Sequence, residues 1–144
     1  MSGVRVFLDT SYIQALLNRR DQHHQRARAL VSLTGEASEI WVTEAVLIEV
    51  ADALSGIDRQ AAFAFLDSCY REGGIPGGNM VIVTVDSTLL IRGLSLYASR
   101  PDKGWGLTDC ISFVVMRDNR LIQALSADHH FVQAGFRALM LEEA

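Results

Sequence analysis

Four acidic residues, Asp9, Glu49, Asp109 and Asp128, stand among apolar neighbours at places where an α/β protein puts its chemistry. Asp9 ends the β-rich run Val4-Arg5-Val6-Phe7-Leu8, and Asp128 lies three residues past a second apolar run, Leu121 to Leu125. Asp109 opens a helical stretch on an apolar face, four residues before Phe113 and seven before Met116. Glu49 lies within a helix whose stripe is Val46, Leu47, Val50 and Leu54, and is expected to point with that stripe toward the core side. Each acid alone has an ordinary structural account. Asp9 can accept hydrogen bonds at the start of the next helix, and Asp128 can cap the helix that begins at His129. Asp109 can complement a helix dipole with Thr108 as N-cap. Glu49 can meet an arginine or reach solvent at the stripe edge. Together, however, converging carboxylates repel, and burying an unpaired one is costly. A divalent cation resolves the conflict. Mg²⁺ or Mn²⁺ takes carboxylate oxygens and keeps waters for substrate phosphates. Such a centre can activate water and hold the phosphate of an in-line displacement.

The elements that must position these acids alternate between short β runs and longer helical stretches. Strands are expected at Val4 to Leu8, Ile40 to Val42, Met80 to Val85, Leu121 to Leu125 and Arg137 to Leu141. Helices are expected at Ser11 to Asn18, His23 to Leu33, Glu44 to Leu54, Arg59 to Arg71, Ser87 to Ser99, Leu107 to Arg117 and His129 to Ala134. Strands separated by helices imply βαβ crossovers and a mostly parallel sheet covered on both faces. In such sheets ligands bind beyond the carboxyl ends of the strands, at a topological switch point.

Composition sets the outer limits. A chain of 144 residues is one domain's worth, 1–144, and can build its own core. With 49% hydrophobic and 21% charged residues it is not an extended disordered protein. A net charge of −4 argues against a surface that holds nucleic acid by bulk positive charge, but not against an acidic site that works through a cation. Lys103 is the one lysine among 13 basic residues. Met1 to Asp9 carries no signal pattern, and the longest apolar runs are too short to span a bilayer, so a cytoplasmic protein is expected. Cys69 and Cys110 form no CxxC pair and are expected to be reduced core thiols.

The segments Phe7-Leu8-Asp9-Thr10-Ser11, Leu47-Ile48-Glu49-Val50, Leu107-Thr108-Asp109-Cys110 and Leu125-Ser126-Ala127-Asp128-His129-His130-Phe131 resemble the four acidic motifs of the PIN-domain ribonucleases. The likeness keeps order and spacing over essentially the whole chain. It is nearest to the small prokaryotic single-domain group that contains the VapC-type toxins. The resemblance implies a three-layer α/β/α fold with a five-stranded parallel sheet in the order 3-2-1-4-5, which sets Asp9 beside Asp128. It implies a Mg²⁺- or Mn²⁺-dependent endoribonuclease with Asp9, Glu49, Asp109 and Asp128 as its acidic cluster. Asp9, Asp109 and Asp128 would bind metal, and Glu49 would complete the shell and orient the attacking water. Ser11, Thr108 and Ser126 would supply supporting hydrogen bonds. Ser126 stands where threonine is commoner in the family, a hydroxyl-for-hydroxyl departure. RNA is the implied substrate. A homodimer and an antitoxin protein are the implied partners, and the apolar helix residues Tyr12, Ile13, Leu16 and Leu17 add to the expectation of a dimer.

Other features carry less. His23-His24 and His129-His130 are weak zinc candidates, since adjacent histidines do not face one ligand on a helix. His129 and His130 can still border the cleft. Gly73 to Gly78 leads into a strand, whereas phosphate loops open a helix. Lys103 and Trp105 are candidates to meet an RNA phosphate and base, with a structural Trp as the other account. Two further classes compete with the nuclease. An aspartyl-phosphate receiver or phosphatase would also cluster acids at strand ends, but there is no DxD at Asp9-Thr10-Ser11 and no lysine at a strand end. A non-catalytic nucleic-acid-binding module could use the same fold.

Overall fold

The computed structural model describes residues 3–71 and 79–142. The Gly73 to Gly78 segment lies outside the described residues. In chain order the elements are β1 (Arg5–Leu8), α1 (Thr10–Leu17), α2 (His24–Ala29), α3 (Val31–Glu36), β2 (Glu39–Thr43), α4 (Glu44–Leu54) and α5 (Arg59–Arg71). They continue with β3 (Met80–Val83), α6 (Ser87–Ser99), α7 (Leu107–Asp118), β4 (Gln123–Leu125), α8 (His129–Gln133) and β5 (Arg137–Ala138), closing in a 3₁₀ turn at Leu139–Leu141.

All strand pairings are parallel, in the order β3-β2-β1-β4-β5. Successive strand residues point to opposite faces, yet Val6, Phe7 and Leu8 are all fully buried. Both faces of β1 are therefore covered, and the molecule is a three-layer α/β/α sandwich. The order reverses between β1 and β4. Phe7 pairs with both Trp41 and Ala124, and Leu8 pairs with Leu125. The carboxyl ends of β1 and β4 thus finish level, and the Asp9 amide extends the ladder by donating to the Leu125 carbonyl at 3.1 Å.

The helix α4 begins at Thr43, whose hydroxyl accepts the Val46 amide at 3.2 Å and caps the first turn. It buries Val46, Leu47, Val50 and Leu54 against the sheet. At the crossing of α6 and α7, a Cβ on Gly93 would lie 2.6 Å from Ile111 Cγ1, so only glycine allows this close approach. Under the switch point sits an aromatic group centred on Phe113. Trp105 and Phe131 meet it edge-on at 5.0 Å, and Phe136 lies at 5.7 Å.

Several boundaries depart from the sequence expectation, the strand expected from Met80 to Val85 ending at Val83 among them. The helix expected from His23 to Leu33 divides at Leu30, where the Leu30 amide turns to the Ala27 carbonyl and the Leu33 amide to the Leu30 carbonyl. The Thr34 hydroxyl then donates to the Val31 carbonyl at 2.6 Å, the kind of local side-chain bond that competes with regular helix. The strand expected from Leu121 shortens to Gln123–Leu125. The strand expected from Arg137 to Leu141 ends at Ala138, because the Met140 amide folds over to the Ser126 carbonyl at 3.2 Å.

Candidate functional site

The site is built where β1 and β4 end. Asp9 follows β1 directly and is 4% exposed. It occupies the N-cap position of α1, but its side chain makes no cap bond. Its Oδ2 instead accepts two hydroxyls, from Ser11 Oγ at 2.7 Å and Ser126 Oγ at 2.8 Å. Those hydroxyls are themselves held. Ser11 Oγ accepts the Ala127 amide at 3.0 Å, and Ser126 Oγ accepts the Asp128 amide at 3.0 Å. Both donors to Asp9 converge on one oxygen, and Oδ1 has no hydrogen bond from the described residues.

Asp128 caps α8, its Oδ1 accepting the His130 amide at 2.8 Å. Asp109 sits in the first turn of α7, where its Oδ2 accepts the Gly106 amide at 3.3 Å. The N-cap of α7 is Gly106 rather than Thr108. The ordinary structural roles of Asp109 and Asp128 are thus real, and the same carboxylates also meet one another's neighbourhood. His130 Nδ1 lies 2.9 Å from Asp109 Oδ2 and 3.3 Å from Asp128 Oδ1. Asp109, Asp128 and His130 each offer a ligand atom, all within 4.8 Å of one another.

The electrostatics follow from burial and like charge. Desolvation pushes the Asp9 carboxyl up to about 6, against the pull of the Ser11 and Ser126 hydroxyls, and the charges of Asp109 and Asp128 raise it further. Burial also raises Asp109; the His130 bond pulls it down, while Asp128 pushes it up. Asp9 and Asp109, both held above the usual carboxylate range, stand with Asp128 and the His130 imidazole as a donor set that suits a small divalent cation.

The remaining expected residues fall elsewhere. Glu49 is exposed and makes no bond among the described residues, which corrects the expectation that it points to the core side. Three residues advance a helix by about 300°, so Glu49 stands about 60° from Val46 on the side away from Leu47. Thr108 is half-buried, and its carbonyl accepts the Ser112 hydroxyl at 2.9 Å. It lines an open, mostly apolar cleft with Leu47, Ile48, Tyr70 and Leu90, which Asp9, Asp109, Asp128 and His130 do not line. Trp105 is 4% exposed, packed on Phe113, with Nε1 donating to Gln133 Oε1 at 3.0 Å. It is a core residue and cannot offer its face to a base. Lys103 is half-buried in the loop before α7. Tyr12 and Ile13 are buried in the core, and Leu16 and Leu17 pack against it while staying partly exposed.

One site member, His130, carries only a weak signal in the sequence. His130 was placed only at the cleft border; its signal was its position two residues past a capping aspartate, which turns it back toward that carboxylate. Glu44, at the start of α4, accepts the Val85 amide at 3.1 Å and the Tyr70 hydroxyl at 2.9 Å on the wall of the apolar cleft that Thr108 lines. No helix among the described residues is long and apolar enough to cross a membrane.

Comparison with known proteins agrees with this fold. A family model described as PIN domain matches residues 6–137. The fold is similar to that of a solved structure from Mycobacterium tuberculosis, VapC20, described as a sarcin-ricin loop cleaving toxin. The TM-score is 0.79 at 24% sequence identity, over 92% of this chain and 97% of that one. No curated protein sequence matches.

Proposed function

The chain belongs to the PIN domain family, and from that premise we propose that it is a divalent-metal-dependent endoribonuclease, acting as the toxin of a toxin–antitoxin pair. The observation that carries this reading is the convergence of Asp9, Asp109 and Asp128 at the β1–β4 switch point, with Asp9 desolvated and its Oδ1 without a hydrogen bond among the described residues. Asp109 and Asp128, with Asp9 at the end of β1, would hold the ion. When bound, Mg²⁺ or Mn²⁺ supplies an activated water and charge stabilisation for the phosphate. Ser11 and Ser126 keep the Asp9 carboxylate in one orientation, and the Ser126 hydroxyl ties that orientation to the Asp128 backbone. The solved relative that cleaves the sarcin-ricin loop supports RNA as substrate class.

A phosphoryl-accepting aspartate must be open to in-line attack, and Asp9 at 4% exposure, with one oxygen held by two hydroxyls, is poorly suited to it. Glu49 keeps the water-orienting role that the resemblance gives it, from an exposed place on α4, a helix that packs against both α1 and α7. Lys103 is retained as a phosphate contact from the loop before α7. For partners, the exposed apolar side chains Ile48, Phe63, Tyr70 and Ile91 over α4, α5 and α6 suit a protein surface, a second copy or an antitoxin. We place the protein in the cytoplasm, where its RNA substrate lies.

The test is cleavage of single-stranded and stem-loop RNA by the purified chain. Chelator should abolish it, and Mn²⁺ or Mg²⁺ should restore it. Asp9→Asn should lower it by more than about a hundredfold, beyond the roughly 10–100-fold that loss of a supporting hydrogen bond costs. Full cleavage in excess chelator would overturn the metal-dependent mechanism. Intact RNA after long incubation with Mn²⁺ would favour a binding module.

A further inference from the structure

The acidic pattern leaves one group at the cleft unused. The His130 imidazole presents Nδ1 to two carboxylates at once, 2.9 Å from Asp109 Oδ2 and 3.3 Å from Asp128 Oδ1. We propose that His130 is a metal ligand, so that the centre is a mixed imidazole–carboxylate site which selects first-row transition ions, Mn²⁺ among them, over Mg²⁺. We take the metal-dependent activity proposed above as the basis for this assignment.

Spacing supports it first. Adjacent corners of an octahedron with bonds of about 2.1 Å lie about 3 Å apart. The separations of Nδ1 from the two carboxylate oxygens therefore match edges of a coordination shell. Rigidity supports it next. The His130 backbone amide is fixed by Asp128 Oδ1 at 2.8 Å, and the next residue, Phe131, is fully buried edge-on against Phe113, which lies one turn past Asp109 on α7. The two helices that carry the three donors are thus locked through one aromatic contact, and the imidazole needs no rearrangement to reach the ion. Access supports it last. Among the described residues the ring hydrogen-bonds to Asp109 alone, with Asp128 Oδ1 the other close carboxylate atom, and the His130 and Asp128 side chains are 32% and 35% exposed, open enough for an ion to enter.

Selectivity follows from donor chemistry. Mg²⁺ is hard, prefers oxygen and gives up its waters reluctantly. Imidazole nitrogen adds more to the binding of transition ions. An all-carboxylate centre would lack that difference.

The experiment uses the full chain with MnCl₂ and, separately, MgCl₂ as probes. Affinities are read by calorimetry for wild type, His130→Ala and His130→Gln, and nitrogen coupling to bound Mn²⁺ is read by pulsed electron paramagnetic resonance. The wild-type protein should show a ¹⁴N coupling that both variants lose. Mn²⁺ affinity should fall about tenfold or more in the variants, and Mg²⁺ affinity by less than about threefold. Absence of the coupling in wild type would overturn the assignment, and so would its persistence in His130→Ala. An equal loss for both ions would also overturn it, since a residue that only orients Asp109 by a hydrogen bond gives that result. Mn²⁺ binding without nitrogen coupling removes the His130 ligand and leaves the metal-dependent activity standing. Failure of both ions to bind wild type removes the two together. Thermal melting of the variants reports their fold, and the wild-type spectrum decides the matter without any variant.

Discussion

The helices α7 and α6 lie against each other and have opposite fates. Every residue of α7 from Cys110 to Met116 is buried, on all sides of the helix. In α6 the buried residue is Gly93, and Ile91, Leu94 and Tyr97 remain exposed. The helix α7 runs through the middle of the molecule and carries Asp109 at its start, next to the ends of β1 and β4. The helix α6 covers it from outside, and the residues of β3 are all half-buried. A site that must keep like charges close needs the first kind of surroundings. Packing on every side prevents the carboxylates from drifting apart, which would relieve their repulsion at the expense of the centre. A flank with free apolar area suits recognition of another protein.

The largest effect that sharpens this contrast is a pH dependence at the rigid region. The Asp9 carboxyl is held at about 6 in the folded chain, against an ordinary value of 3.8. Between these values the folded chain binds more protons than the unfolded one. The contribution is fully present below about pH 4 and is lost as pH rises through about 6, on the order of 3 kcal/mol without metal. Metal-free melting should therefore fall across this window, and Asp9→Asn should flatten it. A wild-type curve already flat from pH 4 to 7 would mean that Asp9 is not desolvated in this way.

Metal should reverse part of that loss. An ion that binds the folded site and hardly the unfolded chain stabilises by about 2.7 kcal/mol at a hundred times its dissociation constant. Asp109→Asn removes one repelling charge and one ligand. It should melt higher than wild type in chelator at pH 8 and gain less from Mn²⁺. If it melts clearly lower in chelator and responds to Mn²⁺ like wild type, its bond to the Gly106 amide is its whole role.

A smaller change is expected at Ser126. Ser126→Ala removes the donor to Asp9 and leaves the Asp128 amide without its acceptor, at a cost of about 1–3 kcal/mol for the buried groups left unpaired. Cleavage should fall by roughly 10–100-fold. Denaturant unfolding and initial rates measure the two effects.

The smallest effect belongs to α4. Glu49→Gln should change stability by less than about 0.5 kcal/mol, since the side chain is exposed and unpaired. A cleavage rate equal to wild type would exclude Glu49 from the mechanism, and a loss of tenfold or more would place it at the reacting water when RNA is bound.

Much of the architecture could be read from local pattern. The spans of α4, α5 and α6 match the sequence expectation residue for residue, because an amphipathic stripe and a polar N-terminal flank mark them. Asp9, Asp109 and Asp128 could be read as well, since each terminates a strand or opens a helix, and those are the positions a parallel sheet presents to ligands. Glu49, expected on the core side, and Trp105, for which a base contact and a structural role both stood open, escaped such a reading for the opposite reason. Whether a stripe-edge acid faces core or solvent, and whether a loop tryptophan is covered, depends on what packs there from elsewhere in the chain.

The order of strands and helices and the acids at their ends were settled by sequence alone, through periodicities that act over a few residues. Tertiary structure decided the rest. The level ends of β1 and β4 put Ser126 on Asp9 across 117 positions. The packing of Phe131 on Phe113 brought His130 to Asp109 across 21. Neither meeting has a local signature, because hydrogen bonds of under 3 Å depend on the register of strands and the packing of cores, which only the folded chain as a whole determines.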